Sequence, residues 1–211
     1  MERLQSLLRQ YNLSHKEDLV LAPWSKQYCE EEFPKYWEIV YSILQLFDKN
    51  SRVLEIGCGL GDVTAMLCYL GFKHVTSLEK DEQISRAAQR RIVDMFGMNG
   101  VVRNENYPSN KQYTADILIL VNCVYADQLK TKREYVDLIQ KYYVCAGSPN
   151  HFLMEVIDSS YAEKNSEFPE YTRLSRQDVE GLFRNYKISS WETYKYPYNS
   201  KSKTLYLIER Q

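Results

Sequence analysis

Val53–Leu67 reads VLEIGCGLGDVTAML: an apolar run, three glycines on alternate positions (Gly57, Gly59, Gly61), then apolar residues at helical spacing. Glycine costs about 1 kcal/mol relative to alanine inside regular structure. Three of them where a helix must begin predict a strand–turn–helix unit whose backbone passes something closely. Side chains there would fill the space a ligand needs, and the first helical turn offers unpaired N–H groups. A strained turn with no ligand can also be glycine-rich, so both readings stay open on the turn alone.

Working outward, the pattern repeats. Upstream, Tyr36, Ile39, Val40, Ile43, Leu44 and Phe47 recur at helical spacing, with Pro34 near the first turn and Glu30–Glu32 just before it. Downstream, Val63, Met66, Leu67 and Leu70 mark a helix closed by Gly71. HVTSLE (His74–Glu79) is a second strand, followed by a helix through Ile84, Ala87, Ala88, Ile92, Met95 and Phe96 that Gly97 ends. VVRN (Val101–Asn104) is a weaker third strand. DILILV (Asp116–Val121) is a fourth, apolar on both faces as a central parallel strand should be.

A helix through Tyr135, Val136, Ile139 and Tyr142 leads to a fifth strand, HFLMEVI (His151–Ile157). A polar loop covers Asp158–Leu174. Ser175 with Asp178 starts the next helix as a capping box, through Val179, Leu182 and Phe183. The chain closes on two strands, KISSWETYKY and KTLYLIER, joined by PYNSKS. Strand–helix alternation predicts a three-layer α/β sandwich. Its sheet would have seven mostly parallel strands, a C-terminal antiparallel hairpin and an N-terminal helical segment. A single domain over 1–211 follows, with 1–33 as a helical or lid segment and 34–211 as the core.

Composition narrows the function. Of 211 residues 44% are hydrophobic, enough for a core, and 27 Lys and Arg face 28 Asp and Glu for a net charge of −1. That balance gives no electrostatic footprint for nucleic acid. The five cysteines have no C-x-x-C spacing and the three histidines are scattered, so neither a disulfide framework nor a metal centre is expected. The N-terminal MERLQSLLRQ has no secretory pattern, and ADILILVNCVYA is too short to span a bilayer. The expectation is a reduced, cytoplasmic protein with no membrane partner; oligomeric state is unknown.

Glu79, at the end of the second strand, decides between the readings of the glycine turn. In a doubly wound sheet, ligands bind beyond the carboxyl ends of the strands, where strand order reverses. A carboxylate there is placed to accept from both hydroxyls of a ribose. A dinucleotide turn reads G-x-G-x-x-G, whereas this one reads G-x-G-x-G and is followed by Asp62. Asp62 and Glu55 make poor neighbours for a pyrophosphate. A ligand with a positive centre and an ammonium group fits better.

E-x-G-C-G-x-G (Glu55–Gly61), an acidic residue ending strand two and DILILVNCVYAD (Asp116–Asp127) resemble the class I S-adenosylmethionine-dependent methyltransferases. The likeness runs from about residue 34 to the C-terminus, including the terminal hairpin. It implies a Rossmann-like core and S-adenosylmethionine as cofactor. It also implies that Gly57, Cys58, Gly59 and Gly61 wrap the methionine end, Glu55 faces the ammonium, Glu79 holds the ribose and Lys80 borders the adenine through its backbone. Glu105 or Asn106 would approach the adenine amino group, and Asn122 would support the cofactor through its backbone.

The same resemblance implies methyl transfer, a displacement in which the protein chiefly positions its partners. No catalytic residue is assigned. Tyr125 is the substrate-side candidate, and Asp127 is either a base or a helix cap. Many small-molecule members read N-V-L-E-H where this chain has Asn122-Cys-Val-Tyr125-Ala126, so the Asn is kept and the E-H pair is not. Protein and nucleobase members often read N-P-P-Y; both prolines are missing here. The expectation is a small-molecule acceptor methylated on O or N, the alternatives being a protein or peptide methyltransferase and a non-catalytic adenosyl-binding protein. Trp24, Tyr28, Phe33, Tyr161, Phe168 and Tyr171 would form a lid or packing anchors. His151, at the amino end of its strand, reads as structural.

Overall fold

The glycine turn joins the strand Arg52–Ile56 (β1) to the helix Asp62–Tyr69 (α4), and the rest of the sheet assembles around that unit. In this computed structural model the described residues are 1–22, 35–121, 123, 128–160, 169–194 and 202–211, without the side chains of Lys35, Tyr194 and Ser202. Ahead of β1 lie α1 (Glu2–Ser14), α2 (Asp18–Leu21) and α3 (Lys35–Leu46). After α4 come β2 (His74–Glu79), α5 (Glu82–Phe96), β3 (Val102–Asn104), β4 (Ile117–Leu120), α6 (Lys132–Cys145) and β5 (His151–Asp158). The chain ends with β6 (Arg173–Leu174), α7 (Arg176–Leu182), β7 (Tyr186–Tyr194) and β8 (Ser202–Arg210).

The strands run in the order β3-β2-β1-β4-β5-β8-β7. β1 to β5 are mutually parallel and β8 alone opposes its neighbours. Strand order reverses between β1 and β4, which opens a crevice at their carboxyl ends. The sheet has eight strands rather than seven. β4 stops opposite Met154, and β6 takes the edge of β5 beyond it, pairing with Ile157 and Asp158. Two residues carry no periodicity from which that strand could be read.

Alternate strand residues feed two cores, as period-two geometry requires. Val53, Val75, Ile117, Ile119, Leu153 and Leu205 face α1, α3, α4 and α5. Leu54, Leu78, Leu118, Leu120, Phe152 and Tyr206 face α6 and α7. Helix ends follow local chemistry: Asp81 caps α5 through the N–H groups of Gln83 and Ile84, and Gly97 ends it at φ 69°. The box of Ser175 and Asp178 starts α7. α1 sinks Leu4 and Leu8 into the α3-side core, about 1.5–3 kcal/mol of transfer free energy each.

Candidate functional site

β1 must stop where β2 continues, and the backbone at the junction is held from β2. The Gly57 and Cys58 N–H groups both donate to Leu78 O, at 2.8 and 3.0 Å. Gly57 has φ +67°, and a Cβ on it would lie 2.2 Å from Cys123 Sγ, so only glycine lets the turn close on the chain leaving β4. Glu79 braces the turn: Oε2 accepts from Gly59 N–H and Oε1 from Asp81 N–H, both at 3.0 Å. Asn104 in turn donates through Nδ2 to Glu79 O and Lys80 O, at 3.1 and 2.9 Å.

Glu55 lies almost wholly buried, with Oε2 accepting from Thr64 Oγ1 at 2.6 Å and Ser77 Oγ at 2.7 Å. Burial raises its pKa to about 7, against the lowering effect of those two hydroxyls. Asp62 forms a buried ion pair with Arg91 of α5. Burial pushes the Cys58 thiol well above its ordinary value, so it stays protonated. Glu105 is desolvated, yet bonds from Lys111, Ser109 and Tyr113 outweigh that and hold its carboxyl below the ordinary range. Both of its oxygens are thereby used within its own loop.

A cavity of about 220 Å³ opens at this edge. Glu55, Gly57, Cys58, Gly59, Glu79, Lys80, Glu105 and Asn106 all line it, so the fold brings these residues from distant parts of the chain to one cavity. Gly61 does not line it. At φ +78° it is the N-cap of α4, and a Cβ there would face Thr64 and Ala88. Asn122, Tyr125 and Asp127 lie outside the described residues, as do Trp24, Tyr28, Phe33, Tyr161 and Phe168. His151 sits at the opposite edge with its ring 4.7 Å from that of Phe47, a packing role.

No protein-family model matches the sequence. No curated protein matches it either. Solved structures do match. Magnesium protoporphyrin IX methyltransferase from Synechocystis, with bound SAH, is 14% identical with a TM-score of 0.65, over 99% of this chain and 100% of that one. The fold is that of the class I S-adenosylmethionine-dependent methyltransferases. TehB from Haemophilus influenzae aligns at 15% identity and TM-score 0.62, over 89% of this chain and 66% of that one. An S-adenosylmethionine-dependent methyltransferase from Clostridium acetobutylicum aligns at 11% and 0.58, over 95% and 98%.

Several residues of this methyltransferase-fold cavity are not evident from motif reading. Tyr36 reads as one more apolar position of α3, yet it lines the cavity, and its hydroxyl accepts from Trp37 Nε1 at 3.1 Å. Tyr107 and Tyr142 line the β3 side, where the Tyr107 hydroxyl donates to Tyr142 O at 3.2 Å. Thr64 and Ser77, both fully buried, donate to Glu55; Thr64 had a usable signal as the lone hydroxyl in an apolar run, whereas Ser77 sits beside Thr76 and had none. Arg91 had none, because an arginine within QRR reads as solvated helix surface.

Proposed function

We propose that this chain is an S-adenosylmethionine-dependent methyltransferase that transfers a methyl group to an oxygen or nitrogen atom of a small-molecule acceptor. The observation that carries it is the acidic cavity at the strand-order reversal, where Glu55, Asp62, Glu79 and Glu105 line the wall against one lysine, Lys80. Asp62 and Glu105 are paired within the protein, and Glu55 and Glu79 keep the floor suited to a cationic ligand. A pyrophosphate would meet the same charges unfavourably.

Glu79 is pre-organised for a ribose. A carboxylate has about four lone-pair sites, and Gly59 and Asp81 use one on each oxygen. A second site on each is left for two vicinal hydroxyls. Asn106 and the Lys80 backbone border the base, and Glu55 supplies negative charge toward the ammonium from beneath the turn. Bound there, S-adenosylmethionine supplies an electrophilic methyl group. The chain's own contribution is then orientation and exclusion of water, and among the described residues lining the cavity there is no histidine to act as a base. The near-neutral charge and the missing prolines beside Asn122 support a small molecule over nucleic acid or protein. The lack of any C-x-x-C spacing among the five cysteines supports a reduced, cytoplasmic setting. No described helix is long and apolar enough to cross a membrane. The whole chain acts as one domain, with Leu4 and Leu8 of α1 and Leu19 of α2 packed into its core clusters.

Calorimetric titration tests the reading. S-adenosylmethionine and S-adenosylhomocysteine should bind at about micromolar Kd, near 8 kcal/mol, and NAD should not bind. Glu79→Gln should cost about 1.5–3 kcal/mol of that affinity. A folded wild-type protein that binds neither adenosyl ligand would overturn the assignment.

A further inference from the structure

Arg91 carries a contact from the N-terminal helix to the wall of the cavity. Arg91 is about 1% exposed. Nη2 donates to Asp62 Oδ1 and Nη1 to Asn12 Oδ1, the latter at 3.4 Å. Asp62 lines the cavity directly after the glycine turn, and Asn12 belongs to α1. A second contact runs parallel to this one. Leu60 of the turn, also a lining residue, clusters with Leu19 and Ala22 of the N-terminal segment. Next to these on α5, Arg90 pairs with Asp18, and the Tyr11 hydroxyl donates to Asp94 Oδ2 at 3.2 Å.

Stability does not account for this arginine. Arg91 Nε and Asn12 Nδ2 are both buried without a hydrogen-bond partner among the described residues. A buried network with two unmade bonds is less favourable than an apolar cluster of the same volume. What the arrangement does provide is a carboxylate fixed at one oxygen, on the cavity wall, by a cation that also holds α1.

We propose that Arg91 is a positioning residue for the amino-acid half of the cofactor. It holds Asp62 through Oδ1, leaving Oδ2 to accept from the ligand's ammonium, and through Asn12 it makes the seating of α1 and the binding of that half mutually dependent. The inference rests on the adenosyl-cofactor reading above, and it concerns one end of the ligand only.

That restriction makes it testable with two ligands. S-adenosylhomocysteine carries the amino-acid tail, whereas 5′-methylthioadenosine has the same adenosine and a thioether without it. In calorimetric titrations, Arg91→Met should weaken S-adenosylhomocysteine about tenfold or more and leave methylthioadenosine within about twofold. Arg91→Lys should recover part of the loss, and Asn12→Ala should cost the tailed ligand alone about threefold. In hydrogen exchange on the wild type, S-adenosylhomocysteine should protect the amides of Glu2–Ser14 more than methylthioadenosine does. Equal losses on the two ligands, or an unchanged S-adenosylhomocysteine affinity in folded Arg91→Met, would overturn the proposal. Should Arg91→Met not fold, Asn12→Ala and the wild-type exchange decide, equal protection by both ligands being the negative result. A wild type that binds neither ligand defeats the cofactor reading itself. One that binds both equally in all variants defeats only this inference.

Discussion

At the amino edge of the sheet, Arg52 and Asp116 meet in a two-point ion pair at 2.8 and 3.1 Å, both reachable by water. Beside them Lys49 donates to the carbonyls of Leu44, Gln45 and Phe47 at the end of α3 and stands 4.5 Å over the Phe72 ring. At the carboxyl edge, Glu55, Asp62 and Glu79 are buried, and the bonds around them are unevenly filled. Glu55 sits among hydroxyls rather than cations, and the arginine facing Asp62 has an orphaned N–H. Polar groups at the amino edge complete one another and hold the fold. Those at the carboxyl edge cost desolvation that the fold alone does not recover, the mark of groups kept for a ligand.

Substitutions at the two edges should therefore behave differently, and the largest effect is expected at the turn. Gly57→Ala combines a left-handed backbone with a Cβ driven into Cys123, and should cost about 3 kcal/mol or more in urea denaturation while abolishing adenosyl binding. Cys123→Gly in the same chain should return only part of that, since the backbone strain remains.

Glu55→Gln should do the reverse and stabilise the ligand-free protein. The folded pKa of Glu55 is raised to about 7 from an ordinary 4.5. Its contribution is thus fully favourable below pH 4.5 and lost as pH rises through 7. At pH 8 the wild type holds a buried charge that glutamine removes, a gain of up to about 3 kcal/mol, while at pH 4 the two proteins should melt alike. If the variant is no more stable than wild type at pH 8, Glu55 is not the strained group described here.

The amino edge should answer in the conventional direction and more weakly. Lys49→Met removes three carbonyl contacts and the cation over Phe72, and chemical denaturation should register a loss of about 1–2 kcal/mol at every pH tested. Arg52→Ala should have the smallest effect, shrinking further in high salt because its pair is exposed. A salt-insensitive loss at Arg52 as large as that at Lys49 would break the contrast between the edges.

The order of elements was open to the sequence because its causes are local. β2 spans the same His74–Glu79 that the apolar run marks, and α5 ends at the glycine that ends its stripe. The capping box at Ser175 needs only its own four residues. The glycine turn and Glu79 were legible for a related reason: once the sheet is doubly wound, topology alone brings the ends of β1 and β2 together.

Tertiary structure decided the rest. β6 exists because β4 ends early and leaves an edge of β5 to be filled, a fact about neighbouring strands. Glu55 and Asp62 look alike in sequence, two acids flanking one motif. Packing sets one among hydroxyls from α4 and β2 and pairs the other with an arginine that also reaches α1. Periodicity and capping act over a few residues and are written in the chain. The charge and exposure of a buried group depend on what the fold packs against it, and at this site those partners come from distant parts of the chain.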